Sequence, residues 1–161
     1  MTGRVTNVVI SGLGGQGVLT ASDILAEAAF LAGLDVKKAE VHGMSRRGGS
    51  VTADVRFGPR VYSPVVPPGE ADFLIVLDQE QVERNRSLPG DGGVLIGPEA
   101  VDPESLPGRK CLNVALLGVL SRYLEINGDA WHEAIRSKLK PELHEANRQA
   151  FELGRASGRA Q

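Results

Sequence analysis

One stretch near the start of this chain constrains its fold more than any other. The β-branched run Val5-Thr6-Asn7-Val8-Val9-Ile10 leads into Gly12-Leu13-Gly14-Gly15-Gln16-Gly17, and the glycines lead into an apolar segment of helical spacing. A short apolar run bounded by glycines reads as a buried parallel strand. Val18, Ala21, Ile24, Leu25, Ala28, Ala29 and Ala32 recur at intervals of three and four, which predicts a helix over 16–32, and Gly33 is placed to end it. Asp35–Val41 is a weaker second strand. Strand, glycine turn, helix and strand in that order open a doubly wound fold.

The later elements fit the same class. Val51, Ala53, Val55 and Phe57 alternate with polar residues, the period of a half-buried strand, and Gly58-Pro59 before Arg60-Val61-Tyr62 suggests a β-hairpin. Ala71–Leu77 is a continuous apolar strand, followed by a polar helical stretch, Gln79–Arg86, and a short strand, Gly93–Ile96. Asn113–Leu124 reads as a buried helix, and Pro141 separates two amphipathic ones, Trp131–Leu139 and Glu142–Leu153. The expected fold is α/β: a single Rossmann-like three-layer domain over 1–154, with a mostly parallel sheet and a β-hairpin insertion, and a frayed tail at Arg155–Gln161.

Composition excludes several function classes. The 161 residues suit one core, and a net charge of −2 leaves no basic footprint for nucleic acid. Cys111 is the single cysteine, so this chain alone forms no disulfide and supplies no cysteine set for an iron–sulfur cluster. One cysteine fits a reducing cytoplasm. Neither a signal-peptide core nor a run of membrane-span length is visible, so a cytoplasmic protein with no membrane partner is expected.

Gly12, Gly14 and Gly17 satisfy G-x-G-x-x-G between a strand and a helix. Glycine there permits a tight turn and lets a phosphate approach bare N–H groups, while the helix N-terminus adds partial positive charge. The same turn could equally do no more than pack the helix on the sheet. Gly12, Gly14, Gly15, Gln16 and Gly17 are therefore candidate binding residues. A dinucleotide site would add an acid on the second strand, for which Asp35 and Glu40 are available. The loop lacks the Gly-Lys-Ser/Thr ending of a P-loop.

The second unusual segment is His42-Gly43-Met44-Ser45-Arg46-Arg47-Gly48-Gly49. Guanidinium forks suit carboxylate or phosphate, so Ser45, Arg47, Gly48 and Gly49 join the candidate binding residues, against the plainer reading of a solvated basic loop. His42 is the one candidate for acid–base catalysis. No metal site is expected, because His132 and His144 lie far off on predicted helices.

Together, Gly-Leu-Gly-Gly-Gln-Gly-Val (12–18) and Glu-Val-His-Gly-Met-Ser-Arg-Arg-Gly-Gly-Ser-Val (40–51) resemble the gamma-type domain of 2-oxoacid:ferredoxin oxidoreductases. Within that family they look most like the indolepyruvate (aryl pyruvate) branch, where the domain is the beta subunit. Tyr62-Ser63-Pro64, Glu70-Ala71-Asp72, Asn113, and Asn147 with Ala150-Phe151 and Gly154 extend the likeness along most of the chain. Arg46 departs from that branch, which usually has Gln, and leaves the particular 2-oxoacid open. The resemblance implies a non-catalytic subunit. A larger partner would hold thiamine diphosphate, Mg and iron–sulfur clusters, coenzyme A would be co-substrate, and ferredoxin would be reached through the complex. It leaves room for a homodimer when that partner is absent. Two other functions compete: a stand-alone NAD(P)- or FAD-binding oxidoreductase, and a pure assembly module.

Overall fold

β1 (Thr6–Leu13) forms the centre of a five-stranded sheet of order β2-β3-β1-β4-β5, with β2 at Asp35–His42, β3 at Ser50–Gly58, β4 at Ala71–Val76 and β5 at Pro89–Ile96. The computed structural model describes residues 3–42 and 49–157. β1 pairs in parallel with β4, and β4 with β5, whereas β3 is antiparallel to both β1 and β2. The sheet is thus mixed, with β3 alone reversed, and the mostly parallel expectation is met only in part.

The hairpin also differs from expectation. It joins β2 to β3, in register from Asp35↔Gly58 to His42↔Val51. Arg60–Tyr62 forms no strand. The Val61 N–H donates instead to the Asp35 carboxylate at 2.7 Å, so a side chain holds this segment where a ladder was expected.

Helix α1 (Val18–Leu31) buries Ala21, Ile24, Leu25, Ala28 and Ala29, the residues that set its spacing. It ends as the sequence suggests. Gly33 has φ 88°, its N–H donates to Phe30 O and that of Leu34 to Ala29 O, the paired bonds of a Schellman motif. Helix α2 is only Gln81–Arg84, shorter than the expected 79–86. Helices α3 (Leu112–Ser121), α4 (Gly128–Lys138) and α5 (His144–Ser157) follow. Asn127 caps α4 by accepting the Ala130 N–H at 2.9 Å, and α5 continues through Arg155–Ser157, which the sequence reading gave to a frayed tail.

Side-chain alternation sorts the sheet into two faces. Val8, Ile10, Ala53, Val55, Phe57 and Ile75 share one core with α1, α3, α4 and α5. Trp131 and Phe151 fill its centre, with ring centroids 5.3 Å apart, although the buried Trp131 Nε1–H has no acceptor among the described residues. There α3 and α5 approach closely: a Cβ placed on Gly154 would stand 1.9 Å from Ala115 O, and one on Gly118 2.1 Å from Phe151 O. The other face carries a small cluster of Val9, Leu74 and Val76 under Val66 and Val82. Its cover is α2 and an extended strap, pinned where Arg56 Nη1 donates to Ser63 O at 2.8 Å and the Val66 N–H to Asp54 at 2.9 Å. The third layer of the expected sandwich is therefore thin. No helix among the described residues is long and apolar enough to cross a membrane.

Candidate functional site

The glycine turn sits at the carboxyl end of β1, the edge of an open α/β sheet where ligands bind. Gln16 N–H donates to Leu13 O at 3.1 Å and closes a tight turn, in which Gly15 has φ 90°. The Gln16 side chain is used inside the turn. Its Oε1 accepts the Leu13 N–H at 2.7 Å, and its Nε2 donates to Asp78 Oδ1 at 3.2 Å, just beyond β4. Gly12 lies beneath this arrangement, where a Cβ would meet Gln16 Oε1 at 2.9 Å and Leu77 Cβ at 3.1 Å. Gly17 has φ 86°, and a Cβ on it would come within 2.4 Å of Asn113 Nδ2, which donates to the Gly17 carbonyl at 3.1 Å. The glycines are thus required by conformation at Gly15 and Gly17 and by close approach at Gly12 and Gly17.

This arrangement leaves the start of α1 open. The first helical bond runs from Ala21 N–H to Gly17 O, so the N–H groups of Val18, Leu19 and Thr20 have no partner within the helix. Gly17 at the N-cap offers no side chain to cap them, and the first turn of the helix holds no acid. They face a cleft of about 420 Å³ lined by Leu13, Gly14, Gly15, Gly17, Val18, Leu19 and Thr20, with Val51 of β3 opposite. No lining side chain among the described residues is charged. Such a cleft offers donors and the positive end of a helix dipole, and so favours an anion.

The two sequence motifs meet here. The Gly14 N–H donates to Gly49 O at 2.9 Å, which brings the end of the arginine-containing segment against the turn. Ser45, Arg47 and Gly48 lie outside the described residues, as does the side chain of His42, whose backbone pairs with Val51 at the end of β2. Sequence reasoning did not single out Asp78 and Asn113 as parts of this site. The signal for Asp78 was a polar residue just after an apolar strand at the sheet's carboxyl edge.

The candidate acids of a dinucleotide site are elsewhere. Asp35 begins β2, and its carboxyl is held below the usual range chiefly by the Val61 N–H. Glu40 pairs with Lys38 at 2.6 Å. Because β3 intervenes, β2 stands two strand spacings, roughly 10 Å, from β1. A ribose at the glycine turn would meet no acid from β2. Among the described residues no group of three or more His, Cys, Asp and Glu could hold a metal ion. His132 bonds to Glu152 and His144 to Leu139 O, and Cys111 is buried, which pushes its thiol pKa up.

Solved structures show the fold first. The gamma subunit of a keto/oxoacid ferredoxin oxidoreductase from Geobacter sulfurreducens has this fold, with a TM-score of 0.76 and 24% identity over 94% of this chain and 97% of that one. A 2-oxoglutarate:ferredoxin oxidoreductase chain from Magnetococcus marinus, solved with 2-oxoglutarate, coenzyme A and succinyl-CoA bound, contains the same fold within 31% of its length. It gives a TM-score of 0.77, with 20% identity over 95% of this chain. The fold is that of a gamma-type oxidoreductase domain. Residues 7–108 match the family model of pyruvate ferredoxin/flavodoxin oxidoreductase. The chain is also 34% identical to the indolepyruvate oxidoreductase subunit IorB of Thermococcus kodakarensis, over 92% of this chain and 93% of that protein. It belongs to the pyruvate ferredoxin/flavodoxin oxidoreductase family, as one of its small subunits.

Proposed function

We propose that this chain is the non-catalytic small subunit of a cytoplasmic, thiamine-diphosphate-dependent 2-oxoacid:ferredoxin oxidoreductase of the indolepyruvate branch. Its glycine turn forms one wall of a cleft that the larger subunit completes. The observation that carries this reading is the start of α1, whose N-cap Gly17 supplies no side-chain cap, open to a cleft with no charged lining side chain among the described residues. A chain whose anion-binding end is built but whose chemical groups are absent from the described site needs a second chain to complete it.

Nothing among the described residues fits Mg or an iron–sulfur cluster, since Cys111 is single and buried and no metal-binding group of side chains exists. In this reading thiamine diphosphate, Mg and the clusters belong to the larger subunit. That subunit carries out the decarboxylation, acyl transfer and electron delivery to ferredoxin. This chain's part is to hold an anionic group of coenzyme A against the amides of Val18, Leu19 and Thr20, with Arg47 as the guanidinium that the sequence motif nominates. Coenzyme A bound in the Magnetococcus marinus relative supports this ligand, and the Thermococcus kodakarensis relative supports the indolepyruvate branch.

Arg47→Ala in the reconstituted complex is expected to raise the KM for coenzyme A about tenfold, the loss of one charge-assisted contact, while the isolated chain melts at its normal temperature. Steady-state kinetics with coenzyme A varied measure this. A KM equal to that of the unaltered complex refutes the reading.

A further inference from the structure

The two edges of the sheet are finished differently. Edge strands are usually blunted by proline, a bulge or an unpaired charge. β5 follows that rule: it holds Pro89, Gly90, Gly92 and Gly93, and its register against β4 shifts between Ala71 and Phe73. β2 does not. Asp35–His42 pairs with β3 residue by residue, with no proline, glycine or bulge. Among the described residues no strand pairs with its outer edge. Its lysines do not guard that edge with free charge. Lys38 pairs with Asp23 and, at 2.6 Å, with Glu40, and Lys37 stands 4.0 Å from Asp35. The register also sorts its side chains. Val36, Lys38 and Glu40 lie opposite Phe57, Val55 and Ala53 on the helix-covered face, while Lys37, Ala39 and Val41 lie on the strap face. Val41 is 62% exposed there, and Phe30 of α1, 65% exposed, lines a groove with Val36 and Lys38 along the same edge.

An open strand of this kind can be covered by its own copy about a two-fold axis normal to the sheet. Such an axis keeps every side chain on its own face, so even positions meet even ones and odd meet odd. Charge then selects the register. An axis through Lys37, Lys38 or Glu40 sets that residue against itself, and like charges directly opposite destabilise a ladder. An axis through Val36 or Val41 engages only one end of the strand. An axis through Ala39 sets Lys38 of each copy opposite Glu40 of the other, with the smallest side chain of β2 on the axis. Lys37 then lies opposite Val41, where its aliphatic stem covers the exposed valine. We propose that two copies of this chain join β2 to β2 about Ala39, in one continuous sheet with five strands from each copy. The cleft and the larger subunit play no part in this pairing.

Sedimentation velocity on the full chain, over a series from low to high micromolar, tests it. The unaltered chain should pass from monomer to dimer. Lys38→Glu leaves only acids at positions 38 and 40, and Glu40→Lys only lysines; each should weaken self-association about tenfold. An equimolar mixture of the two should dimerise again, because acids then face lysines across the axis, and the double variant Lys38→Glu/Glu40→Lys should dimerise by itself. Far-UV circular dichroism confirms that each variant is folded, and the mixture keeps the test decisive where one variant is less stable, since a fold defect is not cured by a partner of opposite charge. Cross-linking fixes the register. Opposed residues have Cα atoms about 4.5–5.5 Å apart, within disulfide range, so Ala39→Cys should form a covalent dimer under mild copper–phenanthroline oxidation. Lys37→Cys, whose copies lie about 14 Å apart along the strands, should not. The native Cys111 is buried. A chain that stays monomeric throughout the series, a mixture that does not associate, or cross-linking through Lys37→Cys in place of Ala39→Cys overturns the proposal.

Discussion

Alanine at Gly154 sets two well-calibrated effects against each other. Gly154 lies in the last turns of α5, facing Ala115 of α3. Helix propensity alone favours alanine over glycine, by up to about 1 kcal/mol in a helix interior. Packing acts the other way. The new Cβ would lie 1.9 Å from Ala115 O, 2.9 Å from Ala115 C and 3.2 Å from Val119 N, whereas ordinary contact begins near 3.4 Å. The shortfall of about 1.5 Å is against backbone, which has no rotamer to change. Sliding α5 along α3 offers no relief, because Gly118 is packed just as closely against Phe151 O. The helices must part over Trp131 and Phe151, two of the largest buried rings of the core. Overpacking of this kind costs about 1–3 kcal/mol, and a backbone clash belongs at the upper end. Offset by the propensity gain, a net loss of about 2 kcal/mol is expected. For a domain of this size that lowers Tm by roughly 4–8 °C. Urea and thermal unfolding followed by far-UV circular dichroism measure it. Gly118→Ala should behave alike, and the two losses should not add, since one parting of the helices relieves both clashes. A Gly154→Ala chain as stable as the original, or more so, would refute the packing argument.

Two further outcomes follow from the turn and the strap. Gly17→Ala should cost about 1–3 kcal/mol, because it forces φ 86° on a residue with a Cβ and drives that Cβ into Asn113. Adding Asn113→Ala should recover only part of the loss by urea denaturation, and full recovery would show that φ strain plays no role. The Asp54 carboxyl has its pKa pushed up by burial, partly countered by the Val66 N–H and by Arg56. It holds its proton more tightly folded than unfolded, so its effect on stability worsens as pH rises from 3.8 through the raised folded value. Asp54→Asn keeps an acceptor for Val66. It should gain stability over the original chain near pH 7 and show no such gain below about pH 3.8; an advantage growing toward acid pH would contradict this.

Local patterns in the sequence revealed the elements whose partners are generic. β1, α1 and β4 were legible because a β-branched run or an i, i+3, i+4 stripe buries itself whatever it faces, and Gly33 marked the end of α1 by its own conformational freedom. Pairing was less legible. β3 alternates well, yet nothing local says that it inserts between β2 and β1, so the hairpin was expected one element too late. Arg60-Val61-Tyr62 has strand character but is held by Asp35, a side chain 26 residues earlier. The glycine turn was legible as a potential anion site, and its nearness to Gly49 followed from the paired motifs. Gln16 was expected to bind; its amide is instead engaged with Leu13 and Asp78. Asp78 and Asn113 were not legible as neighbours of the turn, since each reaches it through a contact more than 30 residues away in the chain.

The reversed strand β3 also bears on how faithfully the cleft assembles. A one-residue slip of β3 against β1 would turn Arg56, Asp54 and Thr52 into the helix-covered core and Phe57, Val55 and Ala53 out of it. Only the correct register is compatible with that core, and only it sets Gly49 opposite Gly14. The apolar periodicity of a strand whose far end is distant from the cleft thus proofreads the alignment of its walls during folding. Every molecule that completes its core has, by the same step, built its cleft.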